Sequence, residues 1–270
     1  MAEITVQLYS LRAEAGHDYA ATLRAVADIG FRCVEPAGYP GTTPAAAAKL
    51  FQELGLRAPS CHGRLPVGDD KDRVLEEALL MGHEAIITGC PPNFREDFQT
   101  ADRIRALADL YNEAAQNAAP HGIRVGYHNH DWDVGLVDGE PGYRIFLAHT
   151  DASVLWEADI YWVARAGVDP VGFLEEIGSR GRFLHFKDGM LGGGEAFEEK
   201  ETADGRIMVS QAKPFMPAGR GDVDLLAASA AAKHAEYVAV ELDSYAGDMM
   251  EAVAESYRYL TENGIATGGK

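Results

Sequence analysis

The chain has 270 residues, 47% of them hydrophobic, and a formal net charge of −18 at pH 7. Acidity of that size repels a phosphate backbone, whose affinity for proteins rests on Lys and Arg, so nucleic acid is not an expected partner. No apolar run is long enough to span a bilayer, and three widely spaced cysteines, Cys33, Cys61 and Cys90, suit neither a disulfide framework nor a CxxC metal site, so the expectation is a soluble protein of a reducing cytoplasm, off the membrane.

In chain order, strand-like runs alternate with helical patterns throughout. The strand candidates are ITVQLY (4–9), RCVEPA (32–37), RAPSCH (57–62), EAIITG (84–89), IRVGYH (123–128), SVLWEAD (153–159), RFLHFKD (182–188) and YVAVELD (237–243). Helical periodicity falls between them, over Asp18–Ile29, Thr43–Leu54, Lys71–Met81, Ala101–Ala119, Tyr143–His149, Pro170–Ile177, Asp224–His234 and Asp248–Asn263. Gly30, Gly55, Gly82, Gly122, Gly178 and Gly264 follow helical runs as stop signals. Eight β-then-α units in a chain of this length predict an α/β fold, a (β/α)8 TIM barrel in one domain over 1–270. A doubly wound dinucleotide fold would need a glycine-rich turn after its first strand, and QLYSLR has none.

Side chains alternate faces along a strand, which separates the barrel interior from the helix-facing exterior. Taking the bulky apolar residues as outward, including Ala85 and Ile87, leaves a polar inward set near the C-terminal strand ends: Gln7, Tyr9, Glu35, His62, Thr88, His128, Glu157, Asp159, His185, Lys187 and Glu241. Barrel active sites lie at this end, and buried charges are costly unless paired or metal-bound, so the convergence reads as one shared site. His128, Asp159, His185 and Glu241 end four consecutive strands at matching depth. Two imidazoles and two carboxylates suit one divalent ion, Mn²⁺ first, with Zn²⁺, Co²⁺, Fe²⁺ or Mg²⁺ as alternatives; a metal-free polar mouth is the competing reading.

The motifs GYHNHDWD, ADIYWVARAGVDP, LHFKDG, GRGDVD and VELDSY, with the opening VQLYSLR and CVEPAG, resemble the xylose isomerase-like TIM barrels of the sugar phosphate isomerase/epimerase family. That family ends its fifth to eighth strands in metal ligands, usually Glu, Asp, His and Glu. The resemblance places Asp159, His185 and Glu241 in the last three positions and His128 where a carboxylate usually stands. It implies an enzyme, a metal-dependent isomerase or epimerase acting through a metal-stabilised enediolate of a keto-sugar. A dehydratase-type lyase on a keto-sugar or inosose is the alternative, and an abasic-site endonuclease or a non-catalytic barrel are more distant ones. In this reading Glu241 is the general base, Lys187 stabilises or protonates an oxygen, and His62 also serves as a proton-transfer candidate. Glu35, His130, Trp132 and Arg220 are expected to contact a small-molecule sugar or cyclitol; a homo-oligomer stays open. Residues 189 to 221 exceed an ordinary βα connection and are expected to form a lid, and 129 to 142 a second wall.

Overall fold

A computed structural model of the protein describes residues 1–192, 197–202, 205–210 and 215–268, the segments 197–202 and 205–210 by backbone only. Its centre is a ring of eight parallel strands: Ala2–Gln7, Cys33–Glu35, Ser60–His62, Ala85–Thr88, Arg124–His128, Leu155–Asp159, Phe183–His185 and Tyr237–Val240. Each pairs with the next in chain order except the second with the third, and the eighth returns to the first with Ile4 opposite Val238 and Val6 opposite Val240. Between the second and third strands the seam narrows to one bridge, Cys33 opposite Arg57, extended by the His62 amide donating to Pro36 O at 2.8 Å. The expected barrel is therefore present, with seven strands shorter than their sequence runs and the first of equal length but shifted two residues toward the N-terminus.

Helices cover the outside because their apolar residues recur at helical spacing. Ala101–Ala118 buries Ile104, Leu107, Ala108, Tyr111, Ala114, Ala115 and Ala118 along one stripe, and Thr100 caps it by accepting from the Arg103 amide at 3.3 Å. Asp18, Thr43, Asp169, Asp224 and Asp248 cap five more helices in the same way. Two short helices that periodicity did not register, Arg12–His17 and Ile160–Arg165, follow the first strand after a four-residue turn and the sixth strand directly.

The main core lies between ring and helices, while a separate apolar cluster of Cys33, Ala85, Ile87, Leu155, Phe183 and Tyr237 plugs the barrel interior. This corrects the reading of the fourth strand. Ala85 and Ile87 point inward, and Thr88 points outward, where its hydroxyl meets the Tyr111 hydroxyl on the covering helix. Both faces of that strand are apolar, so alternation gave no phase, and a one-residue error inverts every side chain. Gly126 on the adjacent strand makes room for the plug: a Cβ there would lie 2.5 Å from Ile87 Cδ1.

Among the described residues no helix is long and apolar enough to cross a membrane. Residues 188 to 216 begin and end as an antiparallel pair, Asp188–Gly189 against Phe215–Met216, and carry a second pair, Phe197–Thr202 against Gly205–Ser210. Of the expected lid, residues 193–196, 203–204 and 211–214 lie outside the described residues.

Candidate metal centre

Above the apolar plug the interior turns polar, and the strand ends deliver their side chains to one point. His128, Asp159, His185 and Glu241 each offer a ligand atom within 4.8 Å of the others. A second group, His62, His128, Glu157 and His185, satisfies the same limit and shares two imidazoles with the first.

Local structure fixes these positions. Asp159 ends the sixth strand and caps the helix Ile160–Arg165: its Oδ1 accepts from the amides of Tyr161 and Trp162 at 3.1 Å each. Its Oδ2 is buried, ion-paired with Lys187 Nζ at 3.0 Å, and lies 3.8 Å from His128 Nε2. Asn129, between the two histidines of YHNH, holds the fifth strand to the sixth. Its side-chain oxygen accepts from Trp156 Nε1 at 2.9 Å and from the Asp159 amide at 3.1 Å. The end of the eighth strand is tied to the first, since Ser10 Oγ accepts from the Leu242 amide at 3.0 Å and Arg12 donates to Asp243 O at 2.8 Å.

The imidazoles and carboxylates form one continuous network. His185 Nδ1 lies 2.6 Å from Glu241 Oε2 and its Nε2 lies 2.7 Å from Glu35 Oε2, which also accepts from Gln7 Nε2 at 2.8 Å. Glu157 Oε2 lies 2.7 Å from His62 Nε2 and 3.2 Å from His128 Nδ1. Lys187 Nζ reaches Glu241 at 3.1 Å and both oxygens of Asp243, at 3.1 and 3.0 Å. Its ammonium also lies over the Trp162 ring, 5.3 Å from the centroid.

Burial and charge oppose each other here. Burial pulls the Lys187 ammonium down, but Asp159, Asp243 and Glu241 around it hold it well above the ordinary lysine range, so it stays charged. Burial pushes Glu241 up, and Lys187 and His185 more than reverse that, keeping it ionised. For Asp243 burial dominates and lifts the group to about 7 despite Lys187. His128 is driven down to about 3 by burial and by its neighbour His185, so it is a neutral imidazole, the form that can ligate a metal, whereas His185, held cationic by Glu157 and Glu241, must release a proton before it can ligate.

The expected residues distribute as follows. His128, Asp159, His185, Glu241 and Lys187 come together as read. Lys187 pairs with Asp159, not with Glu157, and Asp243 joins it. Asp243 was not singled out, although its spacing of two from Glu241 in VELD carried the signal. His62 and Glu35 lie in the same network with their near nitrogen and oxygen turned to buried protein groups, and the His62 ring stacks on His185 at 5.3 Å. His130 is buried edge-on to His128 at 5.1 Å and stacks on Trp132 at 4.3 Å, so the 129–142 segment does wall this side. Arg220 is not brought to the cluster: its guanidinium is more than half exposed and ion-pairs with Glu255 of the last helix.

No family model matches the sequence, and no curated protein is significantly similar to it. Solved structures, in contrast, align along almost the whole chain. A sugar phosphate isomerase/epimerase from Parabacteroides distasonis superposes with a TM-score of 0.77 at 22% identity, over 99% of this chain and 100% of that one. The fold is that of the xylose isomerase-like TIM barrels. The IOLI protein, whose crystal structure holds a zinc atom, shares this xylose isomerase-like barrel with a TM-score of 0.69 at 15% identity, over 97% of each chain. The probable 3-DHS dehydratase AsbF from Bacillus anthracis follows at 0.72 and 14%, over 96% of this chain and 98% of that one. At these identities the likeness fixes the barrel and leaves chemistry to the site.

Proposed function

We propose that the chain is a divalent-metal-dependent sugar isomerase or epimerase, acting on a keto-sugar by moving a proton at the carbon beside the carbonyl. The observation that carries this reading is the set His128, Asp159, His185 and Glu241, two nitrogens and two oxygens gathered from four consecutive strands. The set fits an ion because its two imidazole nitrogens and two carboxylate oxygens are buried and all lie within 4.8 Å of one another. Two nitrogen and two oxygen donors suit Mn²⁺, and the zinc of IOLI makes Zn²⁺ the natural comparison. An ion held there supplies Lewis-acid polarisation of a substrate carbonyl and its neighbouring hydroxyl.

The remaining work falls to side chains. Glu241 is ionised and is the carboxylate best placed to take a proton from the substrate. Lys187, fixed by Asp243, holds positive charge beside Glu241 where negative charge develops on oxygen. His130 and Trp132 offer stacked ring faces for the C–H surface of a sugar or cyclitol.

A second reading, β-elimination of water, is favoured by one observation: a buried ammonium 3.1 Å from the proposed base is an acid able to protonate a departing hydroxyl. The likeness to AsbF agrees with it. Metal analysis of the purified chain, joined to a screen of ketoses and inososes with mass detection, tests both. An isomer of unchanged mass supports isomerisation, and a product lighter by one water supports elimination. His185→Ala should abolish metal content while unfolding stays cooperative; a fully loaded His185→Ala chain would remove this ligand set.

A further inference from the structure

The inner group His62–His128–Glu157–His185 meets the same distance limit as the proposed metal set, yet the two groups cannot be used alike. Each shared imidazole presents one nitrogen to each group. His128 Nε2 and His185 Nδ1 face Asp159 and Glu241, at 3.8 and 2.6 Å. His128 Nδ1 and His185 Nε2 both face Glu157 Oε2, at 3.2 Å each. A neutral imidazole has one lone pair and one N–H. If the outer nitrogens bind an ion, the protons must sit on the inner nitrogens. Two ions at once would require both rings to lose their remaining proton.

We propose that Glu157 is the positioning residue of the metal centre: its Oε2 accepts the inner N–H of His128, shares that of His185 with Glu35, and thereby turns the outer nitrogens of both imidazole ligands to the ion. This rests on the metal reading above. His62 Nε2, 2.7 Å from the same oxygen, is the third donor, so the inner group is a hydrogen-bonded cradle for one carboxylate and not a second metal seat. Glu35 provides a parallel acceptor for His185 alone, at 2.7 Å. Among the described residues, Glu157 is therefore the carboxylate that joins the two imidazole ligands. Such outer partners set the tautomer and ring orientation of metal-bound histidines.

The test uses the full chain, labelled with ¹⁵N-histidine and loaded with ¹¹³Cd²⁺. Couplings to cadmium are expected at His128 Nε2 and His185 Nδ1, with the proton on the opposite nitrogen of each ring and no coupling at His62. A coupling at His62, or at the inner nitrogen of either shared ring, overturns the proposal without touching the presence of a metal. Glu157→Gln, which keeps one acceptor oxygen and adds a donor, should weaken Co²⁺ binding by about 10- to 100-fold in chelator competition. It should also alter the Co²⁺ absorption spectrum. Wild-type affinity with an unchanged spectrum would overturn the role of Glu157 alone, whereas a wild-type chain that takes up neither ion overturns this inference and the metal reading together. Should Glu157→Gln not fold, the wild-type couplings decide.

Discussion

Glu241 and His128 occupy positions where the resembled family usually places two carboxylates, and their chemistry differs. An imidazole bound through one nitrogen, with the other donating to Glu157, has no lone pair for a proton, whereas Glu241 remains a carboxylate. Glu35 is engaged with Gln7 and His185 and Glu157 with three imidazoles, and both lie deeper than Glu241, which pairs with His185 and Lys187 but is the least buried of the three. Glu241→Gln should therefore lower turnover by at least about a hundredfold, the scale of a lost general base, with most metal retained. Turnover in D₂O with NMR location of the deuterium should show exchange on one face of the reacting carbon. Exchange on both faces would require a second base. The positions of these side chains were legible because strand alternation and the strand-end position are printed in YHNH, WEAD, LHFK and VELD. Arg220 was not legible, since its partner Glu255 lies on a helix that no local pattern connects to it. A different residue carries a pH effect remote from the centre. Burial pulls His83 below its ordinary 6.5, with Ala58 O 2.7 Å from Nδ1 and the Tyr39 hydroxyl 3.2 Å from Nε2. Its folded value is depressed, so the unfolded chain binds a proton that the folded chain refuses as pH falls below about 6.5. Stability should drop there by up to about 1.4 kcal/mol per pH unit from this group. Denaturant titrations at pH 7.5 and 5.5 check it: His83→Gln should show a smaller loss than wild type.

At the scale of elements, the eight β–α units were readable from period and caps, whereas the short helices Arg12–His17 and Ile160–Arg165 were not. Six residues complete fewer than two turns, and no apolar stripe can repeat over that length. The segment after the seventh strand was recognised by its length, but what anchors it was not. Asp188 is that anchor. Its Oδ1 accepts from the amides of Gly189 at 2.8 Å and Val223 at 3.2 Å, and its Oδ2 from Gly219 at 2.8 Å and Gly221 at 2.9 Å. The chain passes so close that a Cβ on Gly221 would overlap the carboxylate, which explains glycine in GRGD. Asp188→Ala leaves buried amides without an acceptor and should cost at least about 2 kcal/mol in denaturant unfolding. Trimming 192–205 while keeping Asp188 and its partners should leave the melting temperature within a few degrees. If this segment covers the substrate as the length suggests, the same trimming should weaken kcat/KM severely. Unchanged kinetics would show that the segment has no part in turnover.

For the whole molecule, an excess of 18 negative charges coincides with a barrel mouth that gathers Asp159, Glu241 and Asp243 around the Lys187 ammonium and Glu35 and Glu157 among the imidazoles. Concentrating carboxylates in a buried space costs free energy, and a divalent cation offsets that cost where four strands meet. The proposed ligands come from the fifth to eighth strands, one half of the ring, so an ion held there would tie that half together in the folded state. The unfolded chain has no such arrangement. Binding should therefore appear as global stability, by about 2.7 kcal/mol at a free ion concentration one hundred times Kd. For a chain of this size each kcal/mol moves the midpoint by roughly 2–4 °C, so saturating Mn²⁺ or Zn²⁺ should raise Tm by about 5–10 °C over the chelated protein. Surface screening would act differently: an equal ionic strength of a monovalent salt neutralises the excess charge without occupying the site, and should give a smaller and gradual shift. The decisive comparison is His185→Ala, which keeps nearly all of the surface charge and loses the site. If its Tm rises with Mn²⁺ as much as that of wild type, the stabilisation is nonspecific and the barrel mouth is a polar network without an ion.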